Sequence, residues 1–435
     1  MRVAPGVHSS VAMFATGEMR LRAPAWEWEP VLQGELAARA IDAAVDIGVA
    51  LRRVPVTEPS LARGAAGRAL FAAYLSQAVP GAGFERDARD LLAAAGDLLR
   101  PGRAIPTLYH GITGVGWVIE HTRDLLPRQP TDPAGAIDEA MLDHLAGSAP
   151  CYGHYDLLDG LVGVGVYALE RMPRPAGYTL ARSVVIALGA AAQPSGAWFT
   201  PPPVNGHSTP TFTRGGTFSL GVASGVAGAI ALLARCAAAG IETRLARAAA
   251  ERAWRWLVRH RGPVGAAAAM PPVAALGLEH DPSRLAWCCG DPGAAAALST
   301  AARCLGADDR GPVDDALRAA IRPVASSGVI DAGLCHGAAG AALLFARMHN
   351  TSPHPVLRDA GRAWFARALG ARRPGIGVGG YVAWSFDRAG NGGWVAEPGF
   401  LTGAAGVGLA LLAAATPLQP RWDRLLLASA AELTA

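Results

Sequence analysis

The 435-residue sequence contains no lysine, because all 39 of its basic residues are arginine. This absence excludes enzymes that need a lysine amine: Schiff-base enzymes, pyridoxal-phosphate enzymes and NTPases with a P-loop lysine. Charge is scarce as well, since charged residues make up 17% of the chain and the net charge is +4. No basic run stands out, so we predict no nucleic-acid partner.

A short pattern, G-x-x-G followed by an Ala-, Leu- and Val-rich run, occurs seven times. The first glycines of the seven copies are Gly64, Gly111, Gly160, Gly225, Gly290, Gly337 and Gly403. Recurrence of one motif along the chain predicts a repeat protein in which each unit is a helix hairpin. The glycines are expected to allow turns with φ > 0 and close approach of the inner helices.

The segments of each unit alternate between two kinds of helix. The runs after the glycines, such as GAAGVGLALLAAA from Gly403, are apolar on every side, which is typical of a helix buried all round. The partner segments are amphipathic, as in residues 355–369, where Leu357, Trp364 and Phe365 share one face. This alternation predicts an inner ring of helices inside an outer ring, an all-α fold of the α/α toroid type with seven hairpin units.

Neither end of the sequence nor its apolar runs indicate export or insertion. The N-terminus has no charged segment followed by an apolar core, so no signal peptide is predicted. Residues 221–240 are apolar over a length that would suit a membrane span, but they contain Arg235 and one copy of the repeat. We interpret them as a buried inner helix. We expect a cytoplasmic bacterial protein, with peripheral membrane association as the alternative.

The residue before each first glycine is polar or a thiol in all seven copies: Arg63, His110, Asp159, Ser224, Cys289, His336 and Thr402. One interpretation is that these are ordinary loop residues. The other is that seven equivalent turns converge on one mouth, which these side chains line. Seven helix N-termini would then add partial positive charge around that opening.

Two neighbouring units combine thiols with an imidazole. Cys288 lies in WCCGDPG of unit five, and Cys335 and His336 lie in LCHGAAG of unit six. Two thiolates and one imidazole suit Zn²⁺ and leave its fourth tetrahedral position open, as in catalytic zinc sites. The other cysteines outside these motifs, Cys151, Cys236 and Cys304, are interpreted as small apolar residues.

These motifs resemble those of the lanthionine synthetase C-like (LanC) cyclases. The resemblance extends from about residue 60 to 435. It is carried by RLAWCCGDPG (284–293), GLCHGAAG (333–340), YDLLDGLVG (155–163), FSLGVASGVAG (218–228) and PGFLTGAAG (398–406). It implies a toroid with a central zinc held by Cys288, Cys335 and His336. It also implies an enzyme that adds precursor-peptide cysteine thiols to dehydroalanine or dehydrobutyrine, forming the thioether rings of a lanthipeptide.

The resemblance also implies roles for two charged residues. Asp156 matches the family's active-site aspartate, and Arg284 matches the arginine four residues before the first zinc cysteine. The addition creates an enolate that needs positive charge and then a proton on its α-carbon. Arg284 could hold Asp156 or the enolate. Asp156 could orient an acid, or it could only cap the following helix.

Two positions depart from the family pattern. Ser224 replaces the family's acid/base histidine, and Cys289 stands where many members have tyrosine, which makes it a further catalytic candidate. A serine hydroxyl is far too weak an acid to replace an imidazolium. His110, at the pre-glycine position of unit two, is the leading substitute donor, although a turn histidine bonded to backbone is an equal interpretation. His154 and His207 are further candidates.

The predicted domain organisation is a toroid over residues 61–435 with a Pro-rich insert at about 193–217, which could cover the mouth. Residues 1–60 would either complete the outer ring or bind a leader peptide. The resemblance implies the separate cyclase of a class I system. Its partners would be a dehydrated precursor peptide and a LanB-type dehydratase, with a transporter complex at the membrane as a further candidate.

Other functions stay open at this point. The missing histidine would suit a peptide-binding or scaffold subunit that retains zinc, and a related alternative is addition of glutathione or another free thiol to dehydro residues. A glycan-processing toroid would need paired carboxylates at the mouth. Only Asp156 and Asp159 lie close together there, within one unit, which disfavours that class.

Overall fold

The computed structural model describes residues 28–99, 105–127, 131–146, 154–200, 216–262, 268–274, 283–387 and 390–430. Within them, seven helices begin directly after a first glycine: α2 (Ala65–Ala78), α4 (Ile112–His121), α6 (Leu161–Glu170), α8 (Val226–Ala238), α10 (Asp291–Leu305), α12 (Ala338–Thr351) and α14 (Ala404–Ala415). The remaining α-helices are α1 (Gly34–Leu51), α3 (Phe84–Leu98), α5 (Gly135–Ala146), α7 (Pro175–Ala191), α9 (Thr243–Arg259), α11 (Gly311–Ala320) and α13 (Pro355–Gly370).

The helices that follow the glycines form a closed inner ring. Each packs against the next one in chain order, and α14 packs against α2. Helices such as α8 and α14 are buried on all sides, as their sequences predict. The other helices lie outside this ring, and α9, for example, buries only one face. The predicted all-α toroid of seven hairpin units is therefore confirmed.

The N-terminal segment supplies the outer helix of the last unit. Helix α1 packs against α14, and the Trp28 indole N–H donates to the carbonyl of Ala413 at 2.6 Å. The amide of Leu32 donates to the carbonyl of Ala414 at 2.9 Å. Residues 34–51 thus lie in the outer ring, while residues 1–27 lie outside the described part of the chain.

The turns before the inner helices are joined in a circle by backbone hydrogen bonds. Amides of one turn donate to carbonyls of the next: Ala62 to Tyr109 (2.8 Å), Leu157 to Ala223 (3.1 Å), Ala223 to Cys288 (3.0 Å), Trp287 to Cys335 (2.9 Å), Cys335 to Leu401 (2.8 Å) and Leu401 to Ala62 (3.2 Å). Turns two and three meet through packing, because a Cβ on Gly163 would lie 2.9 Å from Cβ of Leu108. All seven turns therefore surround one opening.

The glycines of the motif are required for close approach, and the expectation of positive φ is wrong for the first glycines. Gly111 has φ of −124° and Gly337 has φ of −105°, both in the extended region. A Cβ on Gly111 would lie 1.9 Å from the carbonyl oxygen of Ile105, and one on Gly340 would lie 1.8 Å from that of Leu334. Each turn folds back so tightly onto its own helix start that no side chain fits.

The end of the chain fills the centre of the ring. A short 3-10 helix, Arg421–Leu426, follows α14, and Trp422, Leu425 and Leu427 around it are fully buried. Several units donate to its backbone: Tyr109 Oη to Leu425 (2.8 Å), Trp287 Nε1 to Leu426 (2.8 Å), Arg235 Nη1 to Arg424 (3.2 Å) and Thr300 Oγ1 to Ala428 (3.0 Å). We call residues 420–430 the C-terminal plug.

Two ion pairs hold the C-terminal plug to inner helices on different sides of the ring. Arg347 of α12 pairs with Asp423 at 2.6 Å, and Arg424 pairs with Glu170 of α6 at 2.9 Å. Aromatic rings join the plug to the turns above it, since Phe400 packs edge-on against Trp422 with centroids 5.7 Å apart. The opening therefore has a floor.

Strands are short and lie at the edges of the toroid. Strand β1 (Phe218–Ser219) pairs with β2 (Val273–Ala274), and β3 (Ala383–Phe386) forms a hairpin with β4 (Gly392–Val395), both antiparallel. The hairpin leads into turn seven. Most of the predicted Pro-rich insert, residues 201–215, lies outside the described residues.

We expect Asp423→Ala to lower the free energy of unfolding by about 3–5 kcal/mol, because it leaves the buried Arg347 guanidinium without its partner. Asp359→Ala is the matched control, since it removes a carboxylate from the exposed Arg358–Asp359 pair and should cost about 0–1 kcal/mol. Chemical denaturation of both variants measures the difference. Equal, small losses would show that the plug does not stabilise the ring.

Candidate functional site

Four of the seven turns, those of units one, two, six and seven, share one backbone hydrogen bond that closes the loop before the inner helix. The amide after the first glycine donates to the carbonyl seven residues earlier, as in Ala65 to Glu58, Ile112 to Ile105, Ala338 to Asp331 and Ala404 to Glu397, all at 2.9 Å. Each loop therefore runs from a position six residues before the glycine to the pre-glycine position. We call these the outer and the inner rim positions.

The inner rim positions are accessible, as the sequence pattern predicts for a lined mouth. Arg63, His110 and Asp159 are exposed, and Ser224, Cys289, His336 and Thr402 are partly exposed, whereas the glycine after each is buried. Their neighbours Cys288 and Cys335 are also partly exposed. The outer rim positions hold Glu58, Ile105, His154, Ser219, Arg284, Asp331 and Glu397.

Cys288, Cys335 and His336 come together between turns five and six. The two Sγ atoms and one imidazole nitrogen all lie within 4.8 Å of one another. Zinc binds thiolate sulfur at about 2.3 Å and imidazole nitrogen at about 2.0–2.1 Å, so small side-chain rotations let all three donors reach one ion. The backbone hydrogen bond from Trp287 to Cys335 fixes the two turns side by side. The donor set fits a three-ligand zinc site.

Two residues surround this set with charge. The exposed Arg284 acts electrostatically on both Cys289 and His336. The pKa of His336 is raised, chiefly by its hydrogen bond with Cys288, and the Asp331 carboxylate contributes to the rise. Asp331 is fixed by the amides of Gly333 and Trp384, each 3.0 Å from one of its oxygens. Arg284 is exposed and forms no ion pair with any carboxylate in the described residues.

Cys289 lies against the metal set without being part of it. Its Sγ is 3.7 Å from Sγ of Cys288. The pKa of the Cys289 thiol is raised, first by that hydrogen bond and then by burial, while Arg284 partly offsets the rise. Cys289 therefore stays a neutral thiol that can donate to Cys288.

Asp156 lies in turn three, two units away from the first metal cysteine. Its Oδ1 accepts from the amide of Asp159 at 2.8 Å, which is the helix-start contact that the sequence allowed. Burial raises the pKa of its carboxyl to about 6, and the Asp159 carboxylate adds to the rise, whereas His154 lowers it. The hydroxyl of Tyr155 donates to the carbonyl of Ser224 at 3.3 Å, so this segment contacts turn four.

A family model described as "Lanthionine synthetase C-like protein" matches residues 55–427. The chain belongs to the lanthionine synthetase C-like family. Among solved structures, nisin cyclase superposes with a TM-score of 0.68 at 16% sequence identity, covering 91% of this chain and 98% of that one. A protein from Actinoplanes matches with a TM-score of 0.37 at 16% identity, covering 87% and 100%.

No curated protein sequence matches the chain significantly. The likeness to nisin cyclase establishes the toroid of the lanthionine synthetase C-like family for this chain. None of the helices in the described ranges combines the length and apolar content needed to cross a bilayer, and residues 221–240 contain the 13-residue inner helix α8.

The histidine candidates of this lanthionine synthetase C-like protein lie in different turns. His110 is exposed at the inner rim of unit two, and His154 is exposed at the outer rim of unit three. His207 lies outside the described residues. Ser224 occupies the inner rim of unit four, where its Oγ is 3.3 Å from Oγ of Ser219. The pre-glycine position of unit four therefore holds a hydroxyl in place of an imidazole.

Sequence reasoning identified the inner rim but missed the outer one. Asp331 could have been found by counting six residues back from the first glycine of its unit. The same count shows that His154 and Arg284 occupy equivalent positions in their units. The floor formed by Tyr109, Trp287 and Phe400 beneath the ligands was also missed. In the sequence, these aromatic residues cannot be distinguished from ordinary core residues. Only the folded structure, with the C-terminal plug in place, shows that they lie together.

Asp156 predicts a defined pH dependence of stability. Because its folded-state pKa of about 6 lies above the ordinary value of 3.8, it contributes stability that is present below about pH 4 and lost as the pH rises through 6. Asp156→Asn cannot ionise but still accepts from Asp159. Relative to the wild type, its free energy of unfolding should rise between pH 4 and 7 by up to about 3 kcal/mol.

Denaturation curves at several pH values measure this effect. Asp359→Asn, on the exposed face of α13, is the control and should follow the wild type at every pH. Parallel curves for Asp156→Asn and the wild type would mean that Asp156 is well solvated in the folded protein.

Proposed function

We propose that the protein is a zinc-dependent cyclase that adds cysteine thiols of a dehydrated precursor peptide to dehydroalanine or dehydrobutyrine and so forms (methyl)lanthionine rings. The observation that carries the proposal is the convergence of Cys288, Cys335 and His336 within 4.8 Å at the mouth of the toroid. Family membership and the likeness to nisin cyclase add support. A LanB-type dehydratase is the proposed source of the dehydro residues.

The chemistry begins with a thiol that must become a nucleophile. Cys288, Cys335 and His336 would hold the zinc, which would supply an open coordination position and lower the pKa of an incoming thiol. The aromatic floor under the ligands keeps bulk water on one side of the site, so the peptide enters from the mouth. The Cys289 thiol, 3.7 Å from Cys288, could donate to that sulfur once Cys288 is a thiolate, because the pKa of Cys289 is raised.

Attack on the dehydro residue forms the C–S bond and moves negative charge to the acceptor's carbonyl oxygen. We assign the stabilisation of this enolate to Arg284, because it is exposed, lies beside the metal ligands and forms no ion pair among the described residues. An electrostatic donor of this kind contributes more in the transition state than in the ground state. Asp156, with a pKa near 6, is proposed to orient the group that protonates the α-carbon.

A scaffold function is the second candidate, because Ser224 replaces the family's histidine. Such a protein would bind zinc and the dehydrated peptide without closing rings. Addition of a free thiol such as glutathione would use the same metal set and would leave peptide cysteines unreacted. Both alternatives are separated from cyclisation by counting free thiols and added mass in the product.

Purified protein should contain about one zinc per chain, and Cys335→Ala or His336→Ala should lose both the metal and ring formation. Cys304→Ala removes a buried thiol of α10 and is the matched control that should keep zinc. Elemental analysis after dialysis measures the metal. The activity assay uses a dehydrated precursor peptide that contains cysteine and dehydroalanine or dehydrobutyrine, and counts alkylatable cysteines by mass spectrometry.

Full zinc occupancy in a Cys288→Ala, Cys335→Ala double variant would contradict the ligand assignment. Zinc-loaded wild type that leaves every peptide cysteine alkylatable would favour the scaffold. A product heavier by one glutathione per dehydro residue would favour thiol addition.

Arg284→Gln should keep zinc and slow ring formation by about 10²–10³-fold, the range expected when one stabilising donor is removed from an oxyanion. Arg362→Gln is the control, because Arg362 is exposed on the outer helix α13. Initial rates at saturating peptide report the loss in kcat. A change confined to KM would assign Arg284 to peptide binding instead.

A further inference from the structure

The repeat places outer rim residues of one unit beside the inner rim residue of the next. Glu397 of unit seven pairs with Arg63 of unit one, with Nη2 and Oε2 2.8 Å apart. Arg284 of unit five acts electrostatically on His336 of unit six. The Glu397–Arg63 ion pair is a direct contact from the outer rim of one turn to the inner rim of the following turn, and beside it the amide of Phe400 donates to the carbonyl of Ala62 at 2.8 Å.

The same step leads from His154 to Ser224. His154 is the outer rim residue of unit three, and Ser224 is the inner rim residue of unit four. Two contacts confirm that these turns touch at this point: Tyr155, next to His154, donates to the carbonyl of Ser224, and Leu157 donates to the carbonyl of Ala223 at 3.1 Å. His154 therefore lies at the outer rim of the turn that contacts the Ser224 turn, where the family's histidine is missing.

The alternative donor, His110, is less well situated. It belongs to turn two, which lies three units from either metal-binding turn around the ring, whereas turn three lies two units from turn five. His154 also acts electrostatically on the carboxyl of Asp156. Nothing in the described residues links His110 to Asp156.

We propose that His154 is the proton donor that replaces the missing histidine. This inference rests on the proposed cyclase function. In the step, the imidazolium N–H bond of His154 breaks and a C–H bond forms at the α-carbon, while the enolate electrons return to the carbonyl. The neutral imidazole then takes a proton from solvent, which balances the proton lost by the attacking thiol. Asp156 positions the ring.

The test compares His154→Ala with the wild type on the dehydrated precursor peptide used above. We expect zinc content and circular dichroism to be unchanged and ring formation to slow by about 100-fold or more, since general acids contribute 10²–10⁴-fold. His260→Ala removes a histidine from the end of α9, where it stacks on Trp256, and serves as the control.

Two further measurements separate proton donation from a structural role. Imidazole buffer should accelerate His154→Gly, because His154 is exposed and a small imidazolium ion can enter the space it leaves and donate the proton. In the His154→Ala background, Ser224→His should restore ring formation, since it returns an imidazole to the family's position. A structural role would respond to neither.

The outcomes are distinct. A cyclising wild type together with a fully active His154→Ala, or with loss of activity in His110→Ala alone, would overturn this inference and leave the proposed function standing. A zinc-loaded wild type that closes no rings would overturn both.

Discussion

The architecture depends on one contact repeated seven times, the fold of each turn back onto the start of its own inner helix. This contact leaves no room for a Cβ at the glycines, as the 1.8 Å approach at Gly340 shows. Adjacent turns are joined by backbone hydrogen bonds at six of the seven junctions and by packing of Gly163 against Leu108 at the remaining one, so the ring closes. The metal ligands owe their proximity to this circle, since Cys288 and Cys335 sit at adjacent turns rather than on one local motif.

Charge is divided between the two ends of the ring. Inside it, carboxylates and guanidinium groups are paired, as in Arg347 with Asp423 and Arg424 with Glu170. Burying a charge without a partner costs several kcal/mol, so an interior of this kind needs its pairs complete. At the mouth the polar groups are more exposed, and they can remain available to a ligand at little cost. Arginine thus forms ion pairs inside the ring, whereas at the mouth it supplies an exposed positive charge.

Much of this could be read from the sequence, and the rest could not, for physical reasons. The periodic glycines and apolar runs predicted the toroid. The WCCG and LCHG motifs of adjacent units predicted that Cys288, Cys335 and His336 lie together. Positive φ was the wrong explanation for the glycines. A left-handed turn and a carbonyl that leaves no room for a Cβ both require glycine, so the sequence alone cannot distinguish them. The C-terminal plug has no repeat signal of its own, so only the assembled ring reveals where residues 420–430 belong. The outer rim positions are identified only by their fixed spacing of six residues from the first glycine of each unit, and the G-x-x-G motif does not include that spacing.

The pairing of α1 with α14, together with the plug, ties the first described helix to the last. Most contacts in a linear repeat protein join neighbours, so an arc of units can fold progressively from one end. Here the ring cannot close until the seventh unit has formed. Helix α1 can pack only once α14 has formed, more than 350 residues later in the chain. Closure therefore carries a loop entropy that no earlier unit offsets, and it makes ring completion a late, cooperative event in folding. An unfinished or truncated chain would expose the apolar flank of an open arc, the surface that chaperones bind.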